Sequence, residues 1–238
     1  MAIRFVYFDC METLVQIEIP SIEIYPEWAY GHAAKLGLWE GLEAFRSDWT
    51  VHRDQFLSWG GGLKEGTILG RIRDILAERA ERAGNGWTPA RVDQEARRIH
   101  EGYWGTYRSA THVLPEVPET LEDLRARRIP LGVVSNFMVP GGIPDLLGHH
   151  GLARFFGPVV VSCDLGWRKP SEKIFQAAID AAGVEPGEIL FIGDTLAADY
   201  IGPMAMGMRP LLYDPKGAHP EIRERIGSFR EIGAWLAG

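Results

Sequence analysis

The sequence has little cysteine, no long hydrophobic segment and no excess of positive charge. Its 238 residues include only Cys10 and Cys163, which form neither a disulfide framework nor the ligand spacing of a metal site. No apolar run approaches the length of a bilayer span, and the start of the chain lacks the pattern of a signal peptide. The net charge of −7 disfavours nucleic acid or an anionic membrane as a partner. These absences predict a mature, cytoplasmic protein.

The rest of the composition, 46% hydrophobic and 24% charged, is that of an ordinary globular protein large enough to bury a core. Runs rich in β-branched and aromatic residues predict five strands, at residues 4–8, 130–135, 158–162, 189–193 and 210–213. Helical patterns at residues 119–128 and 171–182 alternate with them, the second framed by Ser171 as N-cap and Gly183 as the terminating residue. We therefore predict an α/β fold with a Rossmann-like, doubly wound parallel sheet of five core strands.

A long insertion separates the first predicted strand from the second. More than a hundred residues lie between them, whereas a strand–helix–strand unit needs roughly 30. Amphipathic patterns at residues 27–36, 64–82 and 91–107 predict helices there, with a glycine loop at residues 60–62. We expect an inserted helical cap domain at residues 18–107 and a core made of residues 1–17 and 108–238. The insert holds six of the eight tryptophans, which either pack it internally or line an apolar pocket.

Polar residues follow the predicted strands at the points where those strands end. They are Asp9 after the first strand, Ser135 and Asn136 at the second, Lys169 after the third, and Asp194 after the fourth, with Asp199 five residues on. The carboxyl ends of parallel strands share one edge of a sheet, so these side chains can converge. Neighbouring carboxylates stay ionised only beside a cation, and Asp9 with Asp194 suits Mg²⁺. Lys169 and Ser135 are donors for an anionic group.

This pattern resembles the haloacid dehalogenase (HAD) superfamily of hydrolases. The matching segments are Phe8-Asp9-Cys10-Met11-Glu12-Thr13-Leu14, Val133-Val134-Ser135-Asn136, Arg168-Lys169-Pro170, and Ile192-Gly193-Asp194-Thr195 with Asp199. The insert resembles the helical cap of the family only in position and helical character.

The resemblance implies a role for each matching residue. Asp9 would attack a small-molecule substrate and form an aspartyl-enzyme intermediate, while Ser135, Asn136 and Lys169 hold the transferred group. The implied Mg²⁺ ligands are Asp9, the backbone carbonyl of Met11, and Asp194, with Asp199 behind them. The sequence leaves a homodimer open.

Met11 departs from the family pattern, because the phosphatases of the family normally carry an aspartic acid there that protonates the leaving alcohol. Such an acid contributes roughly 10²–10⁴ in rate. Glu12 could replace it, although its position favours pointing away from the site. Cys10 could be a reactive thiol, although no histidine base lies near it in sequence.

The leading hypothesis is a Mg²⁺-dependent phosphatase of a small phosphorylated metabolite. The first alternative is a metal-independent 2-haloacid dehalogenase, which also lacks the acid, with Arg46 or Arg53 of the insert as a carboxylate or halide ligand. A phosphonoacetaldehyde hydrolase would need a cap lysine, for which Lys35 and Lys64 are the candidates. The third alternative is a catalytically weak binding protein. Either a metal or the Lys169 ammonium could neutralise the predicted carboxylates.

Overall fold

The computed structural model describes residues 2–236, apart from the side chains of residues 56 and 57. The chain divides into two compact units. The first runs through residue 17 and resumes at residue 112, and the second is Glu18–Thr111. Positions 1, 237 and 238 of the predicted core lie outside the described residues.

The first unit contains a parallel sheet with flanking helices, which confirms the predicted α/β class. The strands of the chain are β1 (Phe5–Phe8), β2 (Gln16–Ile17), β3 (Thr111–His112), β4 (Leu131–Ser135), β5 (Phe156–Val161), β6 (Ile189–Gly193), β7 (Arg209–Tyr213) and β8 (Arg225–Ile226). The main sheet has the order β5-β4-β1-β6-β7-β8, and β2 pairs with β3 separately. The sheet thus has six strands, and the two-residue β8 extends the five that were predicted.

The helices complete the architecture of both units. They are α1 (Tyr25–Ala33), α2 (Leu42–Ser58), α3 (Ile68–Arg82), α4 (Pro89–Ser109), α5 (Glu116–Ala126), α6 (Gly142–His149), α7 (Ser162–Leu165), α8 (Glu172–Ala182), α9 (Gly202–Ala205) and α10 (Ile232–Trp235). No helix within residues 2–236 combines the length and the apolar character that crossing a bilayer requires.

The central strand β1 is buried along its whole length because β4 and β6 pair with its two edges while helices cover its faces. Tyr7 packs into the core and donates its hydroxyl proton to the Ala178 carbonyl of α8 at 2.8 Å. Ser171 caps α8 as predicted, and Gly183 ends the helix at φ 65°. Both ends of α8 therefore lie where the sequence predicts them.

The second unit consists of α1–α4 with short 3₁₀ segments between them. Helix α3 begins at Ile68, four residues later than predicted, because the Thr67 hydroxyl caps it by accepting from the Gly70 N–H at 3.0 Å. Four tryptophans pack against aromatic rings of their own unit, among them Trp28 against Tyr25 and Trp39 against Phe45, with Trp49 and Trp104 alike. Internal packing thus accounts for most of the aromatic content of this unit.

Candidate active site

Lys169 lies at the centre of the polar residues that follow the strands. Its side chain is buried, and its ammonium donates to Asp9 Oδ1 at 2.7 Å, to Asp199 Oδ1 at 2.6 Å and to the Val134 carbonyl at 2.8 Å. Asp9 directly follows β1, where its N–H donates to the Ile192 carbonyl of β6 at 2.8 Å. The sheet therefore fixes the Asp9 backbone, and a buried cation holds its side chain.

Asp194 and Asp199 lie on the segment that follows β6. A π-helical turn, Leu196–Ile201, carries Asp199, and the Thr195 N–H donates to Asp199 Oδ2 at 3.0 Å. Such turns often occur at functional sites. Asp194 Oδ1 accepts a hydrogen bond from the Thr13 hydroxyl at 3.3 Å. Each of these carboxylates is thus oriented by a donor outside the cluster.

Three carboxylates converge at this edge of the sheet. Asp9, Asp194 and Asp199 each offer an oxygen, and these atoms lie within 4.8 Å of one another. Burial raises the pKa of Asp9 to about 7, with Asp199 and Asp194 adding repulsion that the Lys169 ammonium partly offsets. Burial and the Asp199 charge raise the pKa of Asp194 to about 6. Burial opposes the charge of Lys169, but Asp199 and Asp9 outweigh it and raise the pKa of the ammonium.

The cluster fits a divalent cation. Three carboxylates against one ammonium leave an excess of negative charge when all are ionised. Burial is the main cause of the raised pKa values of Asp9 and Asp194, and repulsion between the carboxylates adds to it. Hard carboxylate oxygens are the ligands that Mg²⁺ prefers. Within residues 2–236, this is the one group of three or more acidic, histidine or cysteine side chains close enough to hold a metal ion.

Ser135 and Asn136 follow one another at the end of β4 but differ in their contacts. The Ser135 hydroxyl is buried and has no hydrogen-bond partner among the residues that the structure describes. Asn136 instead clamps the backbone of Lys169, donating from Nδ2 to its carbonyl at 3.0 Å and accepting at Oδ1 from its N–H at 2.7 Å. Ser135 thus retains a free donor, whereas the role of Asn136 as a substrate ligand stays a prediction.

Glu12 and Cys10, in the turn after Asp9, are poorly placed to act on a substrate. Glu12 adopts φ 60° and is exposed, and its Oε1 accepts a hydrogen bond from the Ile17 N–H at 3.2 Å. Cys10 is fully buried, and burial raises the pKa of its thiol. A buried thiol that resists ionisation is a poor nucleophile, so the reactive-thiol interpretation loses support.

The arginines considered as substrate ligands have partners in their own unit. Arg46 pairs with Glu27 at 2.6 Å, and Arg53 pairs with Glu23 at 3.4 Å. These ion pairs neutralise both guanidinium groups without a ligand, although Arg46 Nε is buried and has no hydrogen-bond partner among the described residues.

Sequence reasoning missed the contribution of Thr13 and of the Val134 carbonyl to this site. Thr13 lies in the segment that suggested the nucleophile, so its position shortly after Asp9 was the available signal. The Val134 carbonyl gave no signal in the sequence, because every residue has a backbone carbonyl.

Comparison with known proteins places the chain among relatives of two activities. The family described as "Hydrolase: haloacid dehalogenase-like hydrolase" matches residues 3–207. The "Haloacid dehalogenase-like hydrolase domain-containing protein 3" of Homo sapiens is 28% identical over 233 residues, which cover 95% of this chain and 88% of that protein. The "Phosphoserine phosphatase" of Thermus thermophilus is 30% identical over 224 residues, or 87% of this chain and 77% of that protein.

A solved structure extends the similarity over nearly the full length. The 2-haloacid dehalogenase of Pseudomonas syringae superposes with a TM-score of 0.77 at 26% identity, covering 99% of this chain and 98% of that one. With the match to the family over residues 3–207, the chain belongs to the haloacid dehalogenase-like hydrolases.

Proposed function

We propose that the protein is a Mg²⁺-dependent phosphatase that acts on a small phosphorylated metabolite. The observation that carries this proposal is the charge of the site, where three converging carboxylates face one ammonium. A site that relied on Lys169 alone would not need Asp194 as a third carboxylate. The phosphoserine phosphatase among the relatives supports the same reading.

Asp9 would act as the nucleophile. Its Oδ1 is held by Lys169 at 2.7 Å, and the ion pair keeps the carboxylate oriented and favours its ionised form. Ser135 would donate its free hydroxyl proton to an oxygen of the transferred group. Asp199 and Asn136 would act as positioning residues, because one holds the ammonium of Lys169 and the other holds its backbone.

The proposed metal ligands are the Asp9 carboxylate, the backbone carbonyl of Met11 and the Asp194 carboxylate, with Asp199 behind them. Bound there, Mg²⁺ would neutralise the excess negative charge of the cluster and of an incoming phosphate. The Thr13 hydroxyl would keep Asp194 turned into the cluster.

The test is phosphate release from p-nitrophenyl phosphate, acetyl phosphate and a panel of phosphate esters, each with Mg²⁺ and with EDTA. We expect release that depends on Mg²⁺ and that Asp9→Asn reduces to background. Asp180→Asn is the matched control, since Asp180 is an exposed residue of α8 that pairs with Gln176. Phosphate release by Asp9→Asn at the wild-type rate would contradict the proposal. So would a wild-type protein that releases phosphate from none of these substrates.

A second candidate function is a metal-independent 2-haloacid dehalogenase. Met11 favours it, because a halide leaves without a proton, and so does the similarity to the dehalogenase of Pseudomonas syringae. Chloride release from 2-chloropropionate in EDTA, lost in Asp9→Asn, would establish it. A strict requirement for Mg²⁺ in every reaction would exclude it.

A further inference from the structure

The turn after the proposed nucleophile lacks an acid that could protonate a leaving group. Met11, two residues beyond Asp9, has no ionisable side chain. Glu12 is exposed, and its carboxylate accepts a hydrogen bond from the Ile17 N–H at 3.2 Å. A carboxylate engaged by the backbone at the surface is not placed to donate a proton in the buried cluster.

The other two side chains of this turn are also unavailable. Cys10 is fully buried, which removes its thiol from contact with a substrate. Thr13 donates its hydroxyl proton to Asp194 Oδ1 at 3.3 Å, so this donor already has an acceptor. The turn from Cys10 to Thr13 therefore supplies no proton donor.

The buried ammonium is occupied as well. All three protons of Lys169 have acceptors, at Asp9 and Asp199 at 2.7 and 2.6 Å and at the Val134 carbonyl at 2.8 Å. Redirecting one of them to a leaving oxygen would break a charge-assisted hydrogen bond in a buried site. Lys169 thus stabilises the nucleophile and does not act as an acid.

We infer that the enzyme selects phosphorylated substrates whose leaving group departs without a proton, namely acyl and aryl phosphates, over alkyl phosphates. This inference rests on the proposed phosphatase function of the same site. Carboxylates and phenolates are stable anions, whereas an alkoxide is a strong base that leaves readily only when an acid protonates it. Without a proton donor in the turn after Asp9, substrates whose leaving group needs a proton should react more slowly.

The two steps balance without an acid. A carboxylate oxygen of Asp9 bonds to phosphorus, the bond from phosphorus to the leaving oxygen breaks, and its electron pair departs on a carboxylate or phenolate. A water oxygen then bonds to phosphorus, and the bond to Asp9 breaks with its electron pair returning to the carboxylate. The water loses one proton to solvent, and inorganic phosphate is the product.

The test compares kcat/KM of the wild-type enzyme with Mg²⁺ across leaving groups of graded acidity. The substrates are acetyl phosphate, a series of substituted phenyl phosphates and glycerol phosphate. We expect kcat/KM to fall steeply as the leaving-group pKa rises, with glycerol phosphate about 10²–10⁴-fold below 4-nitrophenyl phosphate, the usual contribution of a general acid. A shallow dependence on leaving-group pKa would overturn the inference and leave the phosphatase function standing.

A matched pair of variants isolates the proton. Met11→Asp adds a carboxylic acid, and we expect it to raise turnover of glycerol phosphate at least about 10²-fold more than turnover of acetyl phosphate. Met11→Asn introduces a side chain of the same size as aspartate but without the acid. It should keep the steep dependence of kcat/KM on leaving-group pKa. Equal effects of Met11→Asp on both substrates would overturn the inference. Should neither variant fold, the series of substrates with the wild-type enzyme decides alone. If the wild-type enzyme releases phosphate from none of them, both the proposed function and the inference are overturned.

Discussion

Lys169 is the residue on which the charge balance of the site depends. Its side chain is 1% exposed, and the same ammonium neutralises Asp9 and Asp199, which are themselves almost inaccessible. Removing one partner of a buried ion pair leaves an uncompensated charge, which is far more destabilising than loss of an exposed pair. Without Lys169, two carboxylates would lose their common cation at once.

We predict that Lys169→Met lowers the free energy of unfolding at pH 8, without metal, by about 3 kcal/mol or more. The loss should shrink at pH 5. The pKa of Asp9 is already raised to about 7, and losing the ammonium raises it further. When the pKa of a carboxyl is higher in the folded state than in the unfolded chain, the protein becomes less stable as pH rises above the unfolded pKa. The reason is that the unfolded chain releases that proton first. Urea denaturation in EDTA across pH 5–8 measures the effect.

The control for this prediction is an exposed ion pair of the same unit. Arg4 pairs with Glu188 at 3.2 Å, with the Arg4 side chain 63% exposed. Arg4→Met should change the free energy of unfolding by less than about 1 kcal/mol at every pH, because solvent screens such pairs. A deficit for Lys169→Met that is small and independent of pH would show that the ammonium is not required for the buried carboxylates.

At the scale of the element, the end of β6 is shaped by the close approach of the turn that carries Asp199. A Cβ at Gly193 would lie 2.5 Å from Cγ of Asp199. We predict that Gly193→Ala displaces Asp199 from Lys169, lowers stability by about 1–3 kcal/mol, and also lowers kcat per folded molecule. Chemical denaturation and active-site titration separate these two effects.

Gly132 in β4 provides the comparison for that variant. A Cβ there would lie 2.4 Å from Cε1 of Tyr7, so Gly132→Ala is overpacked to a similar degree but away from the carboxylate cluster. It should lower stability in the same range and leave kcat per folded molecule close to wild type. If both variants lose kcat equally, loss of packing rather than displacement of Asp199 is the cause.

The elements also show what the sequence could predict. Strong local signals sufficed for β6, whose predicted bounds at residues 189–193 coincide with the observed Ile189–Gly193. Helix α2 was not predicted, because its few buried apolar residues, such as Phe45 and Trp49, lie among charged and polar ones. Strand β8 spans two residues, too few for any periodicity. The predicted strand ends identified the polar residues that converge around Lys169, but the clamp of Asn136 on Lys169 depends on the fold.

At the scale of the whole molecule, each of the two compact units has its own set of buried residues. The carboxylate cluster belongs entirely to the first unit, called the sheet unit below because it contains the main sheet. The second unit is held by apolar and aromatic packing of residues such as Ile72 and Trp49. A ligand that binds only the folded sheet unit stabilises that unit directly. Local opening free energies can therefore differ between the units.

We predict that Mg²⁺ slows amide hydrogen exchange in β1, β4 and β6 while exchange in α3 stays the same, because only the sheet unit gains binding free energy. Hydrogen-exchange mass spectrometry with Mg²⁺ and with EDTA at one pH makes the comparison. Asp194→Asn, which removes one carboxylate of the cluster, should abolish the protection, and Asp180→Asn should retain it. Equal protection of α3 would mean that the two units open as one cooperative block, and protection that survives in Asp194→Asn would place the metal elsewhere.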